Sequence, residues 1–422
     1  MIPDSEFDSL PFLNHDVAPI RAVIKQRYED FVVWEVPLYS PSGQGTHCYV
    51  TLEKRGLATI RAVHDVARAL GIPSGQIGVA GLKDARGVTV QTLSIEHVDP
   101  ARLRSLDIPR IRVLSVERHT NKLKIGHLKA NRFQIKLREV DLDRLSDIRA
   151  ICRVLDARGV PNYFGRQRFG LRGDTALIGR AILEQDFATA IDLILGRAGP
   201  HDHGDVLHAR QLYDAGDYEA AASAWPYGFR DNVRACRAMA KSHGKHKRAF
   251  HAVDARMRQF FLNAYQSDIF NRVLARRIRE FDGVRNGDIA WKHENGATFL
   301  VEDADAESPR ATAFEISPTG PLFGPRMKTP EGEPASVERS VMDDEGLSVE
   351  VLDKLKGLRL RGARRPLRFH PADLELEPGN DEHGPYVECR FELPPGSYAT
   401  VLLREVCKRG LEESLSFEGR TD

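Results

Sequence analysis

The sequence predicts a two-domain α/β protein with locally basic surfaces. Three observations carry this. The first third alternates short β-branched runs with one amphipathic helix, and the middle of the chain is mostly helical by pattern. Cations crowd two stretches of a chain whose formal net charge is only +1, so any nucleic-acid surface must be local. At 422 residues there is room for two or three domains.

The elements follow in order. Ile24 to Val36 opens with the basic segment Lys25-Gln26-Arg27 and runs into Asp30-Phe31-Val32-Val33-Trp34-Glu35-Val36, a strand with an aromatic at its entry. Ser40 to Gly45 is a turn-rich loop. His47 to Lys54 is the next strand, with Cys48, Val50 and Leu52 on one face and Tyr49 and Thr51 on the other. Thr59 is expected to cap a helix whose Ile60, Val63, Val66, Ala67 and Leu70 hold helical spacing until Gly71 and Pro73 end it. Gln76 to Ala80 reads as a short strand, and Val88-Thr89-Val90-Gln91 as a half-buried one. The loop between them carries Lys83, Asp84 and Arg86. By local pattern alone it reads first as a solvated hairpin tip. A carboxylate beside two cations at a rigid strand end also suits chemistry, because the cations keep it ionised.

Arg110 to Leu137 holds further strands, the last with Phe133, Ile135 and Leu137 alternating with polar residues. Asn131 and Phe133 share a strand face. There an amide can bond a base edge and a ring can stack on a base, although by alternation alone Phe133 reads first as core. Ile148 to Ala157 is helical and Gly159 stops it. Gly159 to Gly170 mixes glycines and aromatics with Arg166 and Arg168, a hinge-like loop with stacking surfaces and phosphate-binding cations.

Residues from Leu171 to Leu358 are mostly helical, then irregular. Thr175 to Leu195 holds two amphipathic stretches, Tyr213 to Ala224 a helix, and Phe260 to Phe281 a helix with Leu262, Tyr265, Ile269 and Val273 at core spacing. Between Arg234 and Arg258 there are eight Lys or Arg, including Lys245, Lys247 and Arg248, against one acid, Asp254. That one-sided run reads as an RNA-backbone patch, against the plainer reading of a solvated helix surface. His201, His203 and His208 have no cysteine nearby, and no metal is expected. Ser317 to Pro325 is expected to be a rigid loop, and Thr329 to Asp344 a flexible Pro/Gly-rich connection. Lys356 to Arg368, with Arg364 and Arg365, carries six cations and no acid, a second phosphate track. Val387 to Leu393 is a strand, Pro394 to Thr400 a turn, and a helix follows from Val401.

Five scattered cysteines without a CxxC argue against a zinc ribbon or redox motif and fit a reducing cytosol. Neither a signal peptide nor a membrane-spanning run is visible, so the expected location is cytoplasmic. Without a P-loop or GxGxxG, nucleotide-cofactor readings have no support.

The run Ala80-Gly81-Leu82-Lys83-Asp84, followed by Val88-Thr89-Val90-Gln91, resembles the signature of the TruD family of tRNA pseudouridine synthases. Similar runs in the same order are Glu29 to Glu35, Gly45 to Tyr49, Gly126 to Phe133, Gly159 to Gly170, Asn263 to Asn271 and Ser317 to Pro325. The resemblance implies isomerisation of uridine to pseudouridine in tRNA, at position 13, with no cofactor. It implies Asp84 as the catalytic carboxylate and a flipped uridine in a pocket drawn from Phe31, Asn131, Phe133 and Tyr398. Lys83 and Arg86 would keep Asp84 ionised or engage phosphate. The RNA backbone would meet Lys25, Arg166, Arg168, Lys245, Lys247, Arg248, Arg364 and Arg365. Gln266 and Asn271 would be polar anchors of a helix. The implied fold is mixed α/β: a catalytic domain from 1–159 and 360–422, a TruD-type domain inserted at 160–359, and a cleft between them, in a monomer whose partner is tRNA. Gly87 stands where the family more often has alanine, and Ala130 where it has glycine; Asp282 to Ala311 and Pro330 to Asp344 match little and read as insertions. Two other readings compete. One is a non-catalytic tRNA-folding chaperone of the same fold, which would not need Asp84. The other is a small-molecule enzyme using Asp84 as base, indifferent to the basic tracts.

Overall fold

The computed structural model describes residues 6–14, 16–83, 85–347, 360 and 362–414. The chain divides into two compact units, residues 14–160 with 369–422, and residues 161–368 with the first thirteen. The first unit is a mixed sheet with helices. Its strands are β1 (Ala22–Ile24), β2 (Phe31–Pro37), β3 (His47–Arg55), β4 (Gly78–Val79), β5 (Val88–Glu96), β6 (Ile111–His119) and β7 (Leu128–Arg138). Helix α1 (Thr59–Leu70) follows β3, and α2 (Leu145–Arg158) follows β7. The last segment returns as β8 (Ala372–Asp381), β9 (Gly384–Leu393), α3 (Ala399–Cys407) and β10 (Leu411–Glu413). The central order is β8-β9-β7-β2-β5-β3-β6; β1 pairs with β7 and β10, and β4 with β5. The β2–β5 and β1–β10 pairs are parallel and the others antiparallel.

Register explains which residues meet. Directly opposed residues share a face, so Phe31, Val33 and Glu35 of β2 stand beside Ile135, Phe133 and Asn131 of β7. Thr89 lies beside Val33 on the other flank. This face carries the helices. Val66 and Leu70 of α1 pack with Leu52 and Leu93 at one end. At the other, burial pushes up the thiols of Cys152 (α2), Cys389 (β9) and Cys407 (α3), and the nearby Cys152 adds to this for Cys389 and Cys407.

The opposite face of β7 is polar and tied laterally. Gln134 Nε2 donates to Glu388 at 2.7 Å and Lys136 pairs with Asp381 at 2.8 Å. Arg138, buried to 3 %, forms two bonds to the fully buried Asp30, at 2.7 and 2.9 Å, and two more to Asp381. Asp30 directly precedes Phe31, so this pair fixes the start of β2 against the end of β7. A buried ion pair of this kind contributes more to geometry than to net stability.

The second unit joins a helical bundle to a small sheet. Thr175–Glu184, Phe187–Leu195, Arg230–Lys241 and Ala255–Arg277 enclose one core with Ile182, Ile191, Met239 and Ile269. Strands run in the order Thr298–Leu300, Ile289–Lys292, Ile316–Leu322, Ala363–Pro366. Asn271 acts as expected: its side chain accepts from Phe164 N at 2.8 Å and donates to Phe164 O at 3.1 Å, pinning the aromatic loop. Gln266 donates to Phe323 O.

Three expectations are corrected here. Ser317 to Pro325 is largely strand rather than loop. The strand changes partner along its length, Ile316 to Pro318 pairing on one side and Thr319 to Leu322 on the other, which accommodates the two prolines that lack a donor. The segment from Thr329 to Asp344 contains the helix Gly332–Asp344: Pro334 sits in its first turn, where no amide donor is needed, and Val341 is buried. The single helix expected over Tyr213 to Ala224 is broken, because Gly216 turns left-handed at φ +82° and Asp217 caps a new helix by accepting from Ala220 N.

The neighbouring cations Arg138 and Lys136 hold the Asp381 carboxyl well below the usual carboxylate range. Its contribution to stability is therefore present above the ordinary carboxylate pKa and is lost as pH falls through the depressed folded value. Thermal melts below about pH 4 should show wild type losing more stability per pH unit than Asp381→Asn; parallel pH profiles would contradict this.

Candidate active site

The loop between β4 and β5 is held from several directions. Lys83 N donates to Thr59 Oγ1 at 2.8 Å, and the same hydroxyl donates to Gln91 Oε1 at 2.8 Å. The Lys83 ammonium meets Glu35 Oε2 at 2.8 Å, with the two side chains 7 % and 4 % exposed. Gly126 N donates to Ala80 O, and Gly56 N to Gly87 O, both at 2.9 Å. Thr59 is thus not the helix cap expected of it. Ala58 occupies the cap position without a side-chain bond, and the Thr59 hydroxyl is committed to the loop and to β5.

Gly87 closes the loop against β2. Its φ is +155°, and a Cβ there would lie 2.4 Å from Phe31 O, a backbone atom that cannot swing aside. The family's commoner alanine does not fit this backbone without a shift. Ala130, the other departure, is buried opposite Val36.

Beside the loop lies an aromatic row. Phe31 meets Phe133 edge-on at 6.2 Å, and Phe133 stacks on Phe391 at 5.3 Å. Both Phe31 and Phe133 are mostly buried, so Phe133 is as much core as pocket wall. The Lys25 ammonium sits 4.6 Å from the Phe31 ring centroid and 3.4 Å from the Glu413 carboxylate. At 3 % exposure it does not suit the phosphate contact expected of it. Asn131 stands opposite Glu35 on one side and Leu393 on the other. Tyr398, half-buried, occupies the position before α3, five residues past Leu393.

Three polar atoms on this face, Asn131 Oδ1, Thr89 Oγ1 and Gln91 Nε2, are buried without a hydrogen-bond partner among the described residues. Buried polar groups almost always have partners, so these three mark where a polar group beyond the described residues would be received. Asp84 itself lies outside the described residues. Arg86 is exposed.

Glu35 and the Thr59 hydroxyl escaped sequence reasoning. The signal for Glu35 was present: alternation from Phe31 and Val33 puts an acid on an apolar face, which requires a partner. Thr59 gave no such signal, because a threonine before an amphipathic run reads first as a cap.

The expected RNA-facing cations divide. Lys245, Lys247 and Arg248 are exposed, as are Arg234, Arg237, Lys241 and Arg256 of the same patch. Arg166 is exposed too, whereas Arg168 bonds Ser267 Oγ at 3.0 Å between the Phe164 and Phe260 rings. The second track is largely structural. Arg364 is buried in a bidentate pair with Glu338 at 2.6 and 3.0 Å, and Arg368 is buried over Phe314 at 3.8 Å. Arg365 stacks on Phe164 at 4.2 Å. The remaining cations of that track, Lys356, Arg359 and Arg361, lie outside the described residues. Among the described residues no group of His, Cys, Asp or Glu could hold a metal ion, and no helix is long and apolar enough to cross a membrane.

Residues 11–406 match the family model of tRNA pseudouridine synthase D, TruD. The chain is 46 % identical over 398 residues to the tRNA pseudouridine synthase D of Geobacter sulfurreducens, covering 94 % of this chain and 97 % of that one. It is 44 % identical over 398 residues to the namesake from Geotalea daltonii, covering 94 % and 99 %. A crystal structure assigned to TruD of Methanosarcina mazei superimposes with a TM-score of 0.81 at 27 % identity, covering 96 % of this chain and 97 % of that one. With the family model spanning nearly the whole chain and the fold shared as well, this chain belongs to the tRNA pseudouridine synthase D family.

Proposed function

We propose that this enzyme isomerises uridine to pseudouridine in tRNA, at position 13, with Asp84 as its catalytic carboxylate. The observation that carries the reading is the immobilisation of Lys83, the residue bonded to Asp84, through its amide and its ammonium. A loop fixed this firmly, beside three polar atoms without a partner among the described residues, is built for positioning, which is where most of the acceleration would come from.

The reaction breaks the bond between ribose C1′ and N1 and forms one from C1′ to C5. N1 gains a proton and C5 loses one, so atoms and electrons balance without an oxidant or cofactor. An ionised carboxylate can attack C1′, add to C6, or take a proton from C2′. Each route needs the base to leave the stack and be held. Phe31, with Phe133 behind it, offers the aromatic wall, and Tyr398 stands past the strand end beside Asn131. Asn131 Oδ1 is an acceptor suited to the uracil N3–H or a ribose hydroxyl. The Lys83 ammonium, neutralised by Glu35, acts on the loop's shape rather than on phosphate. The exposed cations from Arg234 to Arg256 would follow the tRNA backbone.

Pseudouridine mapping by carbodiimide-stop primer extension tests this reading. A tRNA transcript with uridine at position 13 should give a stop there with wild type. Asp84→Asn should give none while still retarding the tRNA in a gel. Retardation by both proteins with a stop from neither would favour the chaperone reading. Gly87→Ala should lower kcat about tenfold or more with little change in KM, because the added methyl displaces the loop from Phe31. An unchanged kcat would mean that the loop's backbone does not set the rate.

A further inference from the structure

The unit that carries the loop between β4 and β5 holds a cavity that the chemistry above leaves unused. Past Trp34 and Val90 the parallel strands β2 and β5 part: β2 continues beside β7, and β5 beside β3 and β4. In that fork lies a cavity of about 120 Å³ whose walls include Glu35, Tyr39, Tyr49, Thr92, Glu117 and His127. This is several times the ~30 Å³ that one water occupies, and enough for a single base ring.

Pro37, Pro41 and Leu123 also line it, and its aromatic walls hold one another in place. The Tyr39 hydroxyl lies 2.6 Å from His127 Nδ1 and 3.3 Å from the Tyr49 hydroxyl. His119 stacks on Tyr39 at 5.3 Å and tilts against Tyr49 at 4.5 Å, supporting both rings. Two tyrosine rings give flat surfaces on which a planar ring can rest. Two carboxylates, Glu35 and Glu117, only accept hydrogen bonds, and the hydroxyls can accept as well. Such a lining favours a planar group that donates through more than one N–H. A carboxylate accepts well from an exocyclic amine, as in pairing to cytosine N4, and repels a carbonyl in the same place. Glu35 is shared: it lines the cavity and holds Lys83.

We propose that this cavity receives a nucleobase bearing an exocyclic amine, from a nucleotide near the target uridine in the same RNA. Uracil, with one N–H donor and two carbonyls, is the base it would reject. Occupancy would bear on Glu35 and so on the loop carrying Asp84, coupling recognition of the neighbouring base to the site. This rests on the function proposed above.

Equilibrium RNA binding tests the proposal without depending on turnover. Fluorescence anisotropy would be run with tRNA fragments in which each base near the target uridine is replaced in turn by its analogue lacking the amine: purine riboside for adenosine, inosine for guanosine, zebularine for cytidine. At one position wild type should lose about tenfold in affinity. Thr92→Leu, which fills the cavity, should bind both versions of that position alike. Glu117→Gln, at the exposed rim, is the second variant and should reduce the same discrimination should Thr92→Leu melt early. Identical responses from wild type and both variants at every position would overturn the proposal. A wild type that discriminates at that position but makes no pseudouridine would instead count against the catalytic reading alone.

Discussion

The site depends on one buried contact, the ion pair between Lys83 and Glu35. Two charged side chains less than a tenth exposed lose most of their hydration, and their attraction roughly offsets that loss. The pair therefore contributes direction more than stability. It ties the loop between β4 and β5 to the middle of β2, while the Thr59 hydroxyl ties the same residue to α1 and β5. Three elements, β2, α1 and β5, thus converge on the residue next to Asp84.

The sheet makes that convergence possible. β2 sits between β5 and β7, so a single strand carries Phe31 to the aromatic row and Glu35 to the loop. The buried Arg138–Asp30 pair fixes where β2 starts, and a one-residue slip would send every one of these side chains to the other face. The returning C-terminal segment completes the arrangement: β9 pairs with β7 along eight residues, bringing Phe391 against Phe133 and Leu393 opposite Asn131. Side chains more than two hundred and fifty positions apart in the chain become neighbours through one register.

Much of this was legible in the sequence, and what was missed has physical causes. Alternation of apolar and polar residues placed β2, β3 and β7, and helical spacing placed α1, α2 and the long helix over residue 270. Asn271 was identifiable as an anchor only through resemblance; its bond to Phe164 spans 107 positions. The strand at Ser317 was hidden by its prolines, which read as loop until the switch of pairing partners is known. The helix at Gly332 was hidden because its Pro and Gly residues cluster in the first turn, where they do no harm. Charge runs were the least reliable guide. The tract from Arg234 to Arg258 is largely exposed, whereas Arg364 and Arg368 of the second tract are buried among acceptors. A run of like charge gives no sign of which members fold inward; that is set by distant partners such as Glu338 and Ser317.

The central claim is that Thr59 and Glu35 act together, through Lys83, to position the loop that carries Asp84. The most direct measurement is a double-mutant cycle on Thr59→Val and Glu35→Gln, read as single-turnover tritium release from tRNA labelled at uridine C5. Each single variant should slow release, Thr59→Val with tRNA affinity unchanged, and the double variant should be little slower than the worse single, a coupling on the order of 1 kcal/mol. Strictly additive effects, or release at the wild-type rate, would contradict the account.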